Sequence, residues 1–323
     1  MNKKIKTILT TDEQINLLEE WGLKWEDDYS RNILKIYLKN YGYKHIVYSW
    51  KPYTFINKSG INKKVDSLVK SKNFIQLFNF DRKIAKFVLT NIQNIEIKFR
   101  NSILNAVKLY LDKLNIEEVI KNKLNNMQIF NWSISELLIF FKKSINKNKN
   151  ITSFIEELKN KISNFSNIYL WDILHKTSFG ELIRFYSFLK NEIKELVLKH
   201  FQDIIPFLSI NIEQLLILMK IFKKIRNVIC HNDILIRFKH SLPNKKNSNF
   251  NEINNFFINN SLKINMGKKI KIMDVIKIIS FFNKYSGIKK SLYDIIIETF
   301  NSEINTNLFN KKIIQKIKDD INF

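Results

Sequence analysis

From Phe80 onward the apolar residues step Phe80, Ile84, Val88, Ile92, Ile95, Phe99, Ile103, Ala106, Tyr110, always by three or four. That spacing lines one face of a single helix across residues 80–110; a strand, whose side chains alternate in twos, does not produce it. A second stripe runs Leu215, Leu218, Phe222, Ile225, Ile229, with Asn211 and Gln214 spaced as a capping box at its start. Ser178 and Glu181 carry the same mark for a third helix, with Leu182, Tyr186 and Leu189 on its buried face. The chain has only six glycines and three prolines in 323 residues, whereas sheet proteins need turn residues every ~8–12 positions. Its many Ile, Phe and Asn residues disfavour helix locally, so periodicity arbitrates and selects an all-α fold.

At 323 residues and 38.7 kDa the chain can bury one large core or two modest ones. A single cysteine, Cys230, rules out an internal disulfide framework and a cysteine zinc site, and reads as filler. The N-terminus opens with lysines but reaches an acidic segment without the apolar run of a signal peptide. "ELLIFF" and "LLILM" fall far short of the ~18 apolar residues of a membrane span. The expectation is a cytoplasmic protein with no membrane partner.

Residues 1–70 read as an N-terminal subdomain or lid: two short amphipathic helices, around 11–21 and 29–40, then the aromatic stretch "YGYKHIVYSWKPYTF". Residues 71–241 hold the strongest helical patterns and form the expected core bundle. The Asn-rich stretch 242–261 reads as a linker or insertion. Residues 262–323 supply closing helices, in "KIMDVIKIISFFNKYSG" and "SLYDIIIETF".

The formal net charge is +24, from 54 Lys and Arg against 30 Asp and Glu. Such an excess favours a polyanionic partner, discounted here because Lys, Asn, Ile and Phe are the residues AT-rich codons supply. Only six basic residues are arginine: Arg31, Arg82, Arg100, Arg184, Arg226 and Arg237. The guanidinium fork matches phosphate and carboxylate oxygens in two-pronged geometry, which a lysine does not. In a lysine-biased chain each arginine marks a place where geometry can matter.

One arginine lies in "FKKIRNVICHNDI", five residues before a histidine. On a continuous helix Arg226 and His231 stand ~140° apart, so they do not share a face. His231 falls with Lys220, Lys224 and Asn227 on a basic polar face, whereas a core histidine would lie on the stripe of Phe222, Ile225 and Ile229. The other reading of His231 is a solvated surface residue. His45, His175, His200 and His240 read as structural or surface residues, and no pair has metal-ligand spacing. No metal or cofactor site and no glycine-rich phosphate loop is expected. Glu96 and Arg100, at i and i+4, read either as a solvated ion pair worth ~0.3–0.5 kcal/mol or as a support for a site.

"IRNVICHND" resembles the Arg-x4–6-His motif of HEPN ribonucleases, and within that superfamily the chain resembles the Abi family of AbiD/AbiF-type abortive-infection proteins. Four blocks carry the resemblance in order: "EQINLLEEWGL" with "YLKNYGYKHIVYSW"; "FDRKIAKFVLTNIQNIEIKFRNSI"; "LWDILHKTSFGELIRFY"; and "IRNVICHN". They span roughly residues 12–240 and include Arg82, Arg100, Arg184 and Arg226.

The resemblance implies a HEPN-type helical bundle and metal-independent RNA cleavage. The ribose 2′-hydroxyl attacks the adjacent phosphate, leaving a 2′,3′-cyclic phosphate and a 5′-hydroxyl. Imidazole supplies a proton carrier near neutrality and guanidinium a fixed cation for the phosphorane charge. His231 is then the proton-transfer residue and Arg226 the phosphate or transition-state clamp. Asn227 positions the ring or the RNA, or is a plain surface amide; Glu96 orients Arg226 or an RNA group. A single motif per chain implies a homodimer. The expected partner is RNA, as substrate or as a dedicated small noncoding RNA. The alternative function is a non-cleaving RNA-binding protein in a stable complex with such an RNA. A third possibility is a helical interaction protein with no RNA function.

Overall fold

The computed structural model describes residues 9–57, 63–113, 131–132, 168–169, 174–205, 208–241, 248–262, 269–283, 292–304 and 311–321. "ELLIFF" and Trp171 of the "LWDILH" block lie outside them. Among the described residues the fold is an all-α helical bundle, with three small two-stranded antiparallel ladders at its margins. One of these pairs Lys239–Ser241 with Lys269–Lys271. No described helix is long and apolar enough to cross a membrane.

The axis of the bundle is α4, Ser71–Lys113. Every residue of the stripe that predicts it, from Phe80 to Tyr110, is buried. Helix α5, Phe179–Phe188, begins with the capping box of Ser178 and Glu181, and α7, Ile212–Cys230, with that of Asn211 and Gln214. In each, two amide N–H groups that the helix leaves unpaired find acceptors in their own first turn. Helix α6, Asn191–Ile204, lies along α4. Phe99 of α4 meets Tyr186 of α5 edge-on, with ring centroids 5.2 Å apart, and Phe201 of α6 at 6.2 Å. Burial of these large rings supplies the apolar driving force of the centre.

The N-terminal elements share that core, which runs from Ile15 to Ile321. Helices α1, Thr11–Glu20, and α2, Asp28–Ile46, each start on a capping box, and the single turn α3, Lys51–Thr54, follows them. Gly42 has φ of 78°, open to glycine without a Cβ clash, and it kinks α2. After the kink Ser49 Oγ donates to the Lys44 carbonyl at 2.8 Å and Trp50 Nε1 to the His45 carbonyl at 2.8 Å. These contacts satisfy carbonyls that a helix end leaves open. The aromatic stretch is thus a built corner that sets Lys44 and His45 against the end of α7.

Within 242–261, Ser248–Asn259 forms helix α8, which packs on α7 and buries Ile253, Phe256 and Phe257. The apolar residues of this stretch are spaced for one helical face, and that outweighs the Asn-rich composition. The closing segments form α9, Ile272–Asn283, α10, Leu292–Glu303, and α11, Lys311–Ile321. Helices α9 and α10 pack on α4.

Candidate functional site

Arg226 sits on the last full turns of α7, facing α4. Its Nε lies 3.5 Å from Glu96 Oε2, an ion-pair distance without hydrogen-bond geometry. The other oxygen of Glu96 accepts from Arg100 Nη2 at 3.0 Å. Arg100 in turn donates from Nε to the Leu174 carbonyl at 2.8 Å and from Nη2 to the Thr177 carbonyl at 3.3 Å. Glu96 is therefore one carboxylate shared by two arginines, and Arg100 ties both to the chain that leads into α5.

The Glu96–Arg100 pair is not solvated: the residues are 9% and 7% exposed. Helical spacing brings the two together, but neighbours from the segment before α5 and from α7 cover them. In that setting the pair holds structure together because removing one partner strands the other charge. Arg226 keeps a third of its side chain exposed, so the network has a dry end and a wet end. One turn earlier on α7, the Lys223 ammonium lies across Gly180: a Cβ there would come 2.8 Å from its Nζ. Gly180, from the block "LWDILHKTSFGELIRFY", thus leaves room for a second cation on α7.

His231 is the C-cap of α7, at φ −88° and ψ 10°, and it is exposed. Its N–H donates to the carbonyl of Asn227 at 2.9 Å, and the Asn227 side chain faces solvent. Asn232 follows in the left-handed region, with φ of 55°. Its N–H donates to Ile229 O at 3.0 Å and that of Asp233 to Val228 O at 2.9 Å. This double bond pattern is a Schellman stop, with asparagine in the left-handed position that glycine usually takes.

The structure brings Glu96, Arg100 and Arg226 together, and among the described residues the side chains of His231 and Asn227 make no hydrogen bond or ion pair with them. Sequence reading missed the group beneath His231. Arg82 Nη2 donates to the Asp233 carbonyl at 2.7 Å, Nη1 reaches Asn232 Oδ1 at 3.4 Å, and Nε donates to Asp81 Oδ2 at 3.2 Å. Asp81, wholly buried, accepts from the Ile236 N–H at 2.8 Å. Burial pushes the Asp81 carboxyl up in pKa, and the Arg82 guanidinium opposes that most strongly. The Asp233 carboxylate takes Lys44 Nζ at 2.8 Å, which holds it below the usual carboxylate range. His45 is held below its usual range, first by burial and then by the charges of Lys44 and Arg82. Its Nδ1 is buried without a hydrogen-bond partner among the described residues. The signal for this group was present in the scarcity of arginine, which marked Arg82 before its partners were known.

The remaining histidines with described partners serve packing. Asn105 Nδ2 donates to His200 Nε2 at 2.7 Å, so Nδ1 carries the proton and donates to Ser102 Oγ at 2.8 Å, joining α6 to α4. Lys224 Nζ donates to His240 Nδ1 at 3.3 Å. Among the described residues no group of three or more His, Cys, Asp or Glu side chains is placed to hold a metal ion.

Neither the curated proteins nor the solved structures gave a match to this chain. The sequence model of one family, described as Abi-like protein, matches residues 36–237. The match begins in α2, takes in both groups on α4 and ends just after the turn that follows His231. It covers well over half of the 323 residues, and the chain belongs to the Abi-like protein family.

Proposed function

We propose that this protein is a HEPN-type, metal-independent endoribonuclease acting in abortive infection, with His231 moving protons and Arg226 holding the scissile phosphate. Membership of the Abi-like family points to antiphage defence. One observation above all supports the chemistry: a buried carboxylate, Glu96, shared between Arg100 and the partly exposed Arg226. A guanidinium fixed from behind and open in front presents its remaining N–H groups to a phosphate without first having to be ordered. The exposed imidazole at the C-cap of the same helix supplies the proton carrier this chemistry needs.

Arg226 and His231 leave α7 in different directions, so a homodimer that pairs the arginine of one chain with the histidine of the other is the assembly this reading favours. The net charge of +24 serves RNA binding, either of a substrate or of a dedicated small noncoding RNA, and the affinity for RNA should fall steeply with salt.

The test is incubation of nuclease-free protein with labelled single-stranded and tRNA-like RNAs in EDTA, comparing wild type with Arg226→Ala and His231→Ala. The expected result is cleavage with 2′,3′-cyclic phosphate ends that both substitutions abolish. Salt-sensitive binding with no cleavage of any substrate replaces this reading with that of a non-cleaving RNA-binding protein.

A further inference from the structure

A Schellman stop normally closes with an apolar contact made by the residue after the left-handed position. Here that residue is Asp233, and polar groups from two other elements hold it. Arg82 spans the turn: one nitrogen takes the Asp233 carbonyl at 2.7 Å and another the Asn232 side chain at 3.4 Å. The same guanidinium pairs with Asp81, whose second oxygen holds the Ile236 amide at 2.8 Å. The backbone is thereby tied to α4 at two points, Asp233 and Ile236, of the segment that follows His231. The titratable and charged groups facing it are Asp81 and Arg82 from α4, Lys44 and His45 from α2, and Asp233 itself. The clamp seats the buried Leu235 and Ile236, and with them it fixes the backbone that carries the exposed imidazole; a group that must meet a reacting phosphate needs such a fixed base.

We infer that Asp81 and Arg82 are positioning residues for His231, setting the direction of its ring by clamping the turn at Asn232–Ile236. The inference rests on the ribonuclease reading for its purpose and on the clamp for its substance. Arg82 acts through the backbone of the turn and not on the RNA, so its loss slows the chemical step and leaves RNA binding in place.

The test compares full-length wild type with Arg82→Lys and Asn232→Gly. Arg82→Lys retains a charge beside Asp81 but loses the fork. Asn232→Gly keeps the left-handed turn and removes only the side-chain contact, so it folds even if the first variant does not. With histidine ring carbons isotopically labelled, the His231 signal, identified by its absence in His231→Ala, is expected to broaden or split in Arg82→Lys and to shift in Asn232→Gly. The His200 signal should stay unchanged in both. In RNA cleavage, kcat is expected to fall about 10²-fold in Arg82→Lys with KM little changed, as misplacement of a reacting group does. Combining Arg82→Lys with His231→Ala should be no slower than His231→Ala alone, because a residue acting only through the histidine has nothing left to position. A His231 signal unmoved in both variants, or losses that multiply in the double variant, overturns the inference. If the wild type cuts no RNA, the ribonuclease reading fails, and the ring signals decide by themselves whether the clamp sets His231.

Discussion

Helix α4 holds the end of α7 at two places, and it holds them differently. At Glu96 it meets a side chain: one carboxylate lies 3.5 Å from Nε of Arg226 and pairs by charge with the end of a long, flexible residue. At Asp81 and Arg82, about four turns earlier on the helix, it grips backbone, through the Asp233 carbonyl and the Ile236 amide. The two residues being served explain the difference. An arginine is ordered only by a partner at its far end, since most of its freedom lies in its side-chain torsions. A short histidine at a helix cap is directed mainly by the backbone beneath it.

The deepest test removes one anchor at a time. Asp81 is wholly buried, so Asp81→Ala leaves the Arg82 guanidinium without its counter-charge and the Ile236 N–H without its acceptor; urea unfolding should show a loss of about 3–5 kcal/mol. Glu96→Gln keeps an acceptor for Arg100 and removes a charge from beside an arginine that is a third exposed, and should lose about 1.5–3 kcal/mol. Equal losses would break the comparison, because both places would then be core braces of one kind.

Much of this was legible in the sequence wherever the cause was local. The stripe from Phe80 to Tyr110 becomes the buried face of α4, and Ser178, Glu181, Asn211 and Gln214 cap the helices their spacing marked. What escaped were contacts between residues far apart in the chain. Glu96 and Arg100 read either as a solvated pair or as a support that orients Arg226, because only their mutual spacing is visible in one dimension; their burial, and the approach of Arg226 from far along the chain, decide between the two. Asp81 and Arg82 are adjacent on α4, yet their partners stand at 232–236. Residue type carried some of that missing information. All six arginines are used for geometry: Arg31 pairs with Glu19, Arg237 donates to the Ser49 carbonyl, Arg184 lies over Phe188, and the other three build the two anchors.

A smaller effect sharpens the comparison through pH, because His45 stands beside the anchor of Asp81 and Arg82. His45 is held below its ordinary pKa chiefly by burial, and His240 likewise, with Lys224 adding to it. A depressed histidine leaves the folded state with fewer bound protons than the unfolded chain. Stability is therefore full above the unfolded value of ~6.5 and is lost as pH falls from there through the folded values. Asp233 is also depressed, chiefly by its hydrogen bond from Lys44, so its contribution is lost only in acid, below the ordinary Asp value of ~3.9. Tm measured from pH 8 downward should decline first below about 6.5, and His45→Gln should reduce that first decline. A decline unchanged by His45→Gln assigns the titration elsewhere and leaves the two anchors alike in their response to pH.

The smallest effect belongs to Lys44, and its smallness is informative. Lys44 and Asp233 pair at 2.8 Å, but their side chains are 66% and 48% exposed, and such surface pairs contribute about 0.2–1 kcal/mol. Lys44→Ala should lower stability by no more than that, and salt should erase the difference. RNA cleavage should proceed at the wild-type rate, because the carbonyl of Asp233 remains on Arg82 when its carboxylate is released. The same substitution would slow cleavage as much as Arg82→Lys only if the turn were held by the Asp233 side chain. In that case both anchors on α4 would work through side-chain charge, and the backbone grip would not be what directs His231.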